Sequence, residues 1–225
     1  MNETQSAKAE RYTNGLLSVM MGFPWVDILS KVWKLGRKIL RQCADEGIYE
    51  VLDYEVTLAL QNETGTRAMF KKRKRVRYLQ NGVIAYADSA WGDGKILVGY
   101  KCSPGVAVDQ YRSGYKTHIL LSLREVKNRG DEDEFNIQWG IHNGFLKPNG
   151  FWDTNITNRT HQIKINVIFP KSRPPQRCAL VESNRGKTYI LRSDAKHQLP
   201  DGRWLVSWQK EKPRLYEHYL FKWWW

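Results

Sequence analysis

Cysteine is scarce in this 225-residue chain. Cys43, Cys102 and Cys178 are odd in number and widely spaced, and no C-x-x-C pair occurs. That argues against both a disulfide framework and a zinc site, and it suits a reducing compartment. Long hydrophobic runs are missing as well. The best of them, GLLSVMMGFPWVDIL at 15–29, is interrupted by Pro24 and Asp27 and falls short of the ~20 apolar residues a membrane-spanning helix needs. It also begins after a mixed-charge leader and lacks a small-residue cleavage motif, so it does not read as a signal peptide. A cytoplasmic protein without a transmembrane segment is expected.

Catalytic signatures are equally sparse. There is no H-E-x-x-H, no G-x-S-x-G and no phosphate-binding glycine loop. The five histidines, His118, His142, His161, His197 and His218, are scattered without metal-ligand spacing. The acidic stretch GDEDE (130–134) lacks the alternating ligands, central glycine and closing glutamate of a calcium loop, and it reads as a solvated hairpin tip. No metal or cofactor is expected, and the chain reads as non-enzymatic. A catalytic site gathered from distant residues would still leave no local motif.

What the sequence does have is aromatic mass and positive charge. With 10 Trp, 11 Tyr, 7 Phe and 41% hydrophobic residues the chain can fill a substantial core. The net charge is +13, of which residues 1–50 contribute +1 and the remainder +12. Such an excess concentrates polyanions near the protein without selecting among them.

The hydrophobic period divides the chain in two. Over 24–44, Trp25, Ile28, Leu29, Val32, Leu35, Ile39, Leu40 and Cys43 recur at spacings of three and four, with Pro24 suited to the first turn and Gly47 to the stop. Residues 1–47 are therefore read as a polar leader and an amphipathic helix. After Gly47 the period becomes two. Strands are predicted at 51–60, 67–80, 83–87, 95–100, 117–125, 135–141, 161–169, 177–182, 188–192, 203–208 and 218–225, separated by turn-forming segments such as NETG, WGDG, SPG, KPNG and LPDG. The expected fold is mainly β: an antiparallel, immunoglobulin-like β-sandwich over 48–225 preceded by one N-terminal amphipathic helix.

Three features stand out as candidate contact surfaces. In FKKRKRVRYLQ (70–80), an extended backbone puts Lys71, Arg73, Arg75 and Arg77 on one face, and Phe70, Lys72, Lys74, Val76 and Tyr78 on the other. The row of four cations could follow a phosphate backbone with Tyr78 available for stacking, or it could be a solvated edge strand protected from aggregation by its charge. In the predicted helix, Trp25, Lys31, Trp33, Lys34, Arg37, Lys38 and Arg41 have the composition of a partner-docking or membrane-surface helix, although burial against the chain's own domain accounts for the same pattern. In YEHYLFKWWW, Tyr219, Phe221, Trp223 and Trp225 alternate, which predicts a final strand with one aromatic face in the core.

The segments RVRYLQNGVIAYADSAWGDG, SPGVAVDQYRSG, LREVKNRGD, VIFPKSRPP and LPDGRWLVSW, with PRLYEHYLFKWWW, resemble an uncharacterised family of bacterial all-β proteins over residues 48–225. The resemblance implies a β domain that serves as an accessory or sensing module in signalling or defence systems, and it carries no catalytic residues with it. The functional expectation is a recognition module with a basic surface that binds another macromolecule, an acidic protein or a nucleic acid. Direct nucleic-acid binding through 71–77 is the alternative.

Overall fold

The alternation in VLDYEVTLAL buries Leu52, Tyr54, Val56, Leu58 and Leu60 on a single face. In the computed structural model these residues belong to β1 (Tyr49–Leu60), the centre of a seven-stranded sheet. The structure describes residues 47–225, one of the two units into which the chain divides. The helix expected over 24–44, with Trp25, Lys31, Trp33, Lys34, Arg37, Lys38 and Arg41, lies outside the described residues. Among the described residues the only helical turns are three residues long, Ser183–Arg185 and Ser193–Ala195, and no helix is long and apolar enough to cross a membrane.

Thirteen further strands follow in chain order: β2 (Arg67–Tyr78), β3 (Val83–Ala90), β4 (Lys95–Ser103), β5 (Val106–Ser113), β6 (Lys116–Lys127), β7 (Glu132–His142), β8 (Asn149–Asn155), β9 (Gln162–Phe169), β10 (Arg177–Glu182), β11 (Lys187–Leu191), β12 (Lys196–Gln198), β13 (Trp204–Glu211) and β14 (His218–Trp224). They divide among three sheets, β12-β13-β9-β1-β2-β7-β4, β11-β10-β14-β8 and β3-β6-β5. Pairing is antiparallel throughout, except that β1 and β9 run parallel. Their parallel pairing requires a long crossover, and the chain between them builds β2 to β8.

The large sheet is covered on one face by the two smaller ones. Against the four-stranded sheet, Phe169 packs edge-on to Trp223 and Trp225, and Trp208 meets Tyr219 at 5.2 Å between ring centroids. Against the three-stranded sheet, Tyr86 stacks on Phe135 at 3.9 Å. The predicted aromatic strand lies in this core as β14, paired on both sides, and Tyr219, Phe221 and Trp223 are 0% exposed. Gly150 on neighbouring β8 is what lets Trp223 in: a Cβ there would stand 2.4 Å from the indole Cζ2. Strands β5 and β8, for which the sequence shows no clear alternation, are edge strands, and β5 is exposed along its whole length.

Candidate functional site

The basic strand is not an edge. β2 lies between β1 and β7 in the large sheet, and its side chains alternate as their spacing predicts: Lys71, Arg75 and Arg77 are exposed and Arg73 half-buried on the outer face, while Phe70, Lys72, Val76 and Tyr78 are buried and Lys74 half-buried on the inner one. Each outward cation has register partners on both neighbours. Arg77 faces Glu50 and Glu132, Arg75 faces Asp53 and Glu134, Arg73 faces Glu55 and Asn136, and Lys71 faces Thr57 and Gln138.

Carboxylates thus crowd one end of the row. Arg77 donates to Glu132 Oε1 from Nε at 3.0 Å and from Nη2 at 2.8 Å, and it reaches Glu50 Oε1 at 3.4 Å. Arg73 is held by Asp53, by Glu55 at 3.2 Å and by Glu134 at 3.2 Å. The acidic cluster expected at a hairpin tip is accordingly the start of β7 and the counter-charge of the basic strand; only Gly130 and Asp131 remain in the turn. Cross-strand pairing across a solvated face joins the two charge runs that look independent in sequence.

At the other end the row is open. Lys71 and Gln138 share a rung with Lys101 of β4, and neither lysine forms an ion pair among the described residues. Glu55, Thr57, Lys71, Arg73, Lys101, Ser103, Asn136 and Gln138 border a shallow groove of about 580 Å³ there. Tyr78 takes no part. It is 1% exposed, and its hydroxyl donates to Asp133 Oδ2 at 2.7 Å, so its ring is not offered for stacking on the outer face.

The inner face of the same strand builds a second site, which the sequence reading missed. Where the three sheets meet there is a cavity of about 120 Å³, walled by Tyr54, Phe70, Tyr86, Trp91, Trp139 and Trp152. Four charged side chains line it: Lys72 and Lys74 from β2, Asp88 from β3 and Lys116 from β6. Lys72, 6% exposed, is ion-paired with Asp88, whose other oxygen accepts from the Tyr100 hydroxyl at 3.2 Å. The Tyr54 hydroxyl lies 3.3 Å from Thr154 Oγ1.

Lys74 has no carboxylate partner among the described residues. Its Nζ sits 4.7 Å from the Tyr54 ring centroid and 5.9 Å from that of Tyr86. Burial, reinforced by the Lys72 ammonium and opposed by Asp88, pushes it down to about 7. Burial likewise raises the phenols of Tyr54 and Tyr86. The available signal was two lysines on an otherwise apolar strand face, which requires buried partners or a lowered pKa. Asp88 could not be paired with Lys72 from sequence because β3 belongs to a different sheet.

Among the described residues no group of three or more His, Cys, Asp or Glu side chains is placed to hold a metal ion. His218 pairs with Asp153 at 2.8 Å, and the same carboxylate accepts from Trp91 Nε1 at 2.6 Å. His161 pairs with Glu50 at 3.1 Å.

No protein-family model matches the chain, and neither does any curated protein. Solved structures do. A candidate protease from Parabacteroides distasonis is similar with a TM-score of 0.52 and 10% identity, over 80% of this chain and 41% of that one. An M1 zinc metallopeptidase from Deinococcus radiodurans matches with a TM-score of 0.43 and 8% identity, over 77% and 42%. The chain spans about two fifths of either protein, and its likeness to the first is one of fold.

Proposed function

We propose that residues 47–225 act as a non-enzymatic recognition module that binds an acidic segment of another protein on the outer face of the large sheet. The carrying observation is the open end of the cationic row: Lys71 and Lys101 flank Gln138 on one rung, with no carboxylate opposite. Two strands apart, they stand about 9–10 Å from each other, a span that acidic side chains of one extended segment can bridge. Asn136, Gln138, Thr57 and Ser103 add hydrogen-bonding groups around them. Within this reading the domain is an immunoglobulin-like accessory or sensing component of a bacterial signalling or defence system, the setting its sequence resemblance implies.

Nucleic acid fits less well. A phosphate backbone following the row from Lys71 to Arg77 would pass Glu55, Asp53, Glu134, Glu132 and Glu50, and those carboxylates repel it. A salt titration against an acidic peptide and against single- and double-stranded DNA and RNA separates the two readings. Peptide binding that is lost with Lys71→Glu and Lys101→Glu and kept with Arg75→Glu is expected. Nucleic acid bound more tightly than the peptide, with a steep salt slope, would overturn the proposal.

A further inference from the structure

The cavity on the inner face is lopsided in charge. It presents three ammonium groups, Lys72, Lys74 and Lys116, and one carboxylate, Asp88, which is already engaged by Lys72 and Tyr100. Lys116 rests over Trp91 at 4.9 Å and has no carboxylate partner among the described residues. An aromatic enclosure alone would suit a cationic ligand, but these ammonium groups exclude one. The walls are flat and apolar; ~150 Å³ holds a whole benzene ring, so the smaller space of about 120 Å³ admits a compact group or the inner part of a ring that extends through an open side. Thr157, also among the lining residues, is exposed and gives the cavity a side open to solvent. The Trp139 indole N–H in the wall has no hydrogen-bond partner among the described residues.

We propose that this cavity is a binding site for a carboxylate carried on a small flat or apolar body, with Lys74 as the ammonium that receives it and Lys116 as a second cation at the site. The carboxylate supplies the counter-charge that Lys74 lacks, and the aromatic walls receive the rest of the ligand. The carboxylate can belong to a free aromatic acid or to an acidic side chain of a partner.

Binding is linked to protonation. The titratable groups that line the cavity with Lys74 are Tyr49 and Tyr54 from β1, Lys72 from its own strand, Tyr86 and Asp88 from β3 and Lys116 from β6; β7 adds Trp139, and β8 adds Trp152, Thr154 and Asn155. A carboxylate beside Lys74 favours its ammonium form, so the complex takes up a proton wherever the free amine is neutral. Affinity is therefore greatest below pH 7 and falls as pH rises above it, approaching tenfold per unit.

The test is calorimetric titration of the full chain at pH 6 with benzoate, benzyl alcohol, benzylamine and N-acetylglutamate amide. Benzoate or the blocked glutamate should bind at least tenfold more tightly than the alcohol and the amine. Lys74→Met should weaken that binding at least tenfold, and Lys71→Met, on the opposite face, should leave it unchanged. Should Lys74→Met disturb the fold, the pH profile of the unaltered chain between 6 and 9 provides the same information. Tighter binding of benzoate assigns the site to a free acid, and tighter binding of the blocked glutamate assigns it to a partner's side chain. Equal affinity for benzoate and benzyl alcohol, a flat pH profile, or no binding of either carboxylate would overturn the proposal.

Discussion

The two faces of β2 both carry basic residues, in opposite physical surroundings. Outward, Lys71, Arg73, Arg75 and Arg77 stand in water, where two arginines are ion-paired to five carboxylates on β1 and β7. Inward, Lys72 and Lys74 stand among tyrosines and tryptophans, with one carboxylate between them. Solvent screens the outer charges, so their pairing sets register and selects partners more than it adds stability. On the inner face there is little screening, and burial, reinforced by the Lys72 ammonium, pushes Lys74 from 10.5 down to about 7. The lesson is that a run of basic residues in a sequence has no single meaning until the strand's two environments are known.

Removing one carboxylate on the inner face should produce the largest effect. Asp88→Asn leaves the Lys72 ammonium buried and unpaired, at a cost of about 3–5 kcal/mol. In a domain of this size that corresponds to a drop in Tm of roughly 6–20 °C, measurable by calorimetry. A loss no greater than that of an outer-face variant would abolish the contrast between the faces.

Next comes Lys74→Met, with the opposite sign. A lysine whose folded pKa is lowered binds fewer protons folded than unfolded, so its destabilising effect is complete below pH 7 and fades as pH rises toward 10.5. The variant should therefore be more stable than the unaltered chain at pH 6, and its advantage should shrink by about 1.4 kcal/mol per unit above pH 7. Urea unfolding of both proteins at pH 6 and pH 9 measures the difference.

On the outer face the effects should be smaller and sensitive to salt. Arg73→Gln gives up three partly exposed ion pairs and should cost at most about 1 kcal/mol, less in 1 M salt. Lys71→Gln, which has no ion pair to lose among the described residues, should leave stability within about 0.5 kcal/mol while weakening the acidic peptide. Unfolding curves at low and high salt, run beside the peptide titration, check both.

Much of the architecture was legible because a half-buried strand imprints its period. β1, β2, β9 and β14 announce themselves by alternation, and the turns between them by Gly, Asn, Asp and Pro. The edge strands β5 and β8 were not legible: a strand exposed along its length, such as VAVDQYRS, has no face to keep apolar. Nor was the division into three sheets, because alternation says that one face is buried and not against what. Half of the candidate site could be read in FKKRKRVRYLQ. Its neutralisation by GDEDE could not, because the residues of each pair are 55 to 61 positions apart and meet only through the β2–β7 register.

The sequence by itself determined that Lys71, Arg73, Arg75 and Arg77 share a face and that Lys72 and Lys74 share the other, since the pleat of a strand allows nothing else. Only the tertiary structure decided what each face meets. It set the carboxylates of β1 and β7 beside the arginines and left Lys71 open beside Lys101, and it closed β3, β6 and β8 over Lys74. Local geometry fixes where a side chain points, but the dielectric and the counter-charges around it come from strands distant in the chain, and those determine whether a lysine stands as a solvated cation or is pushed down to about 7.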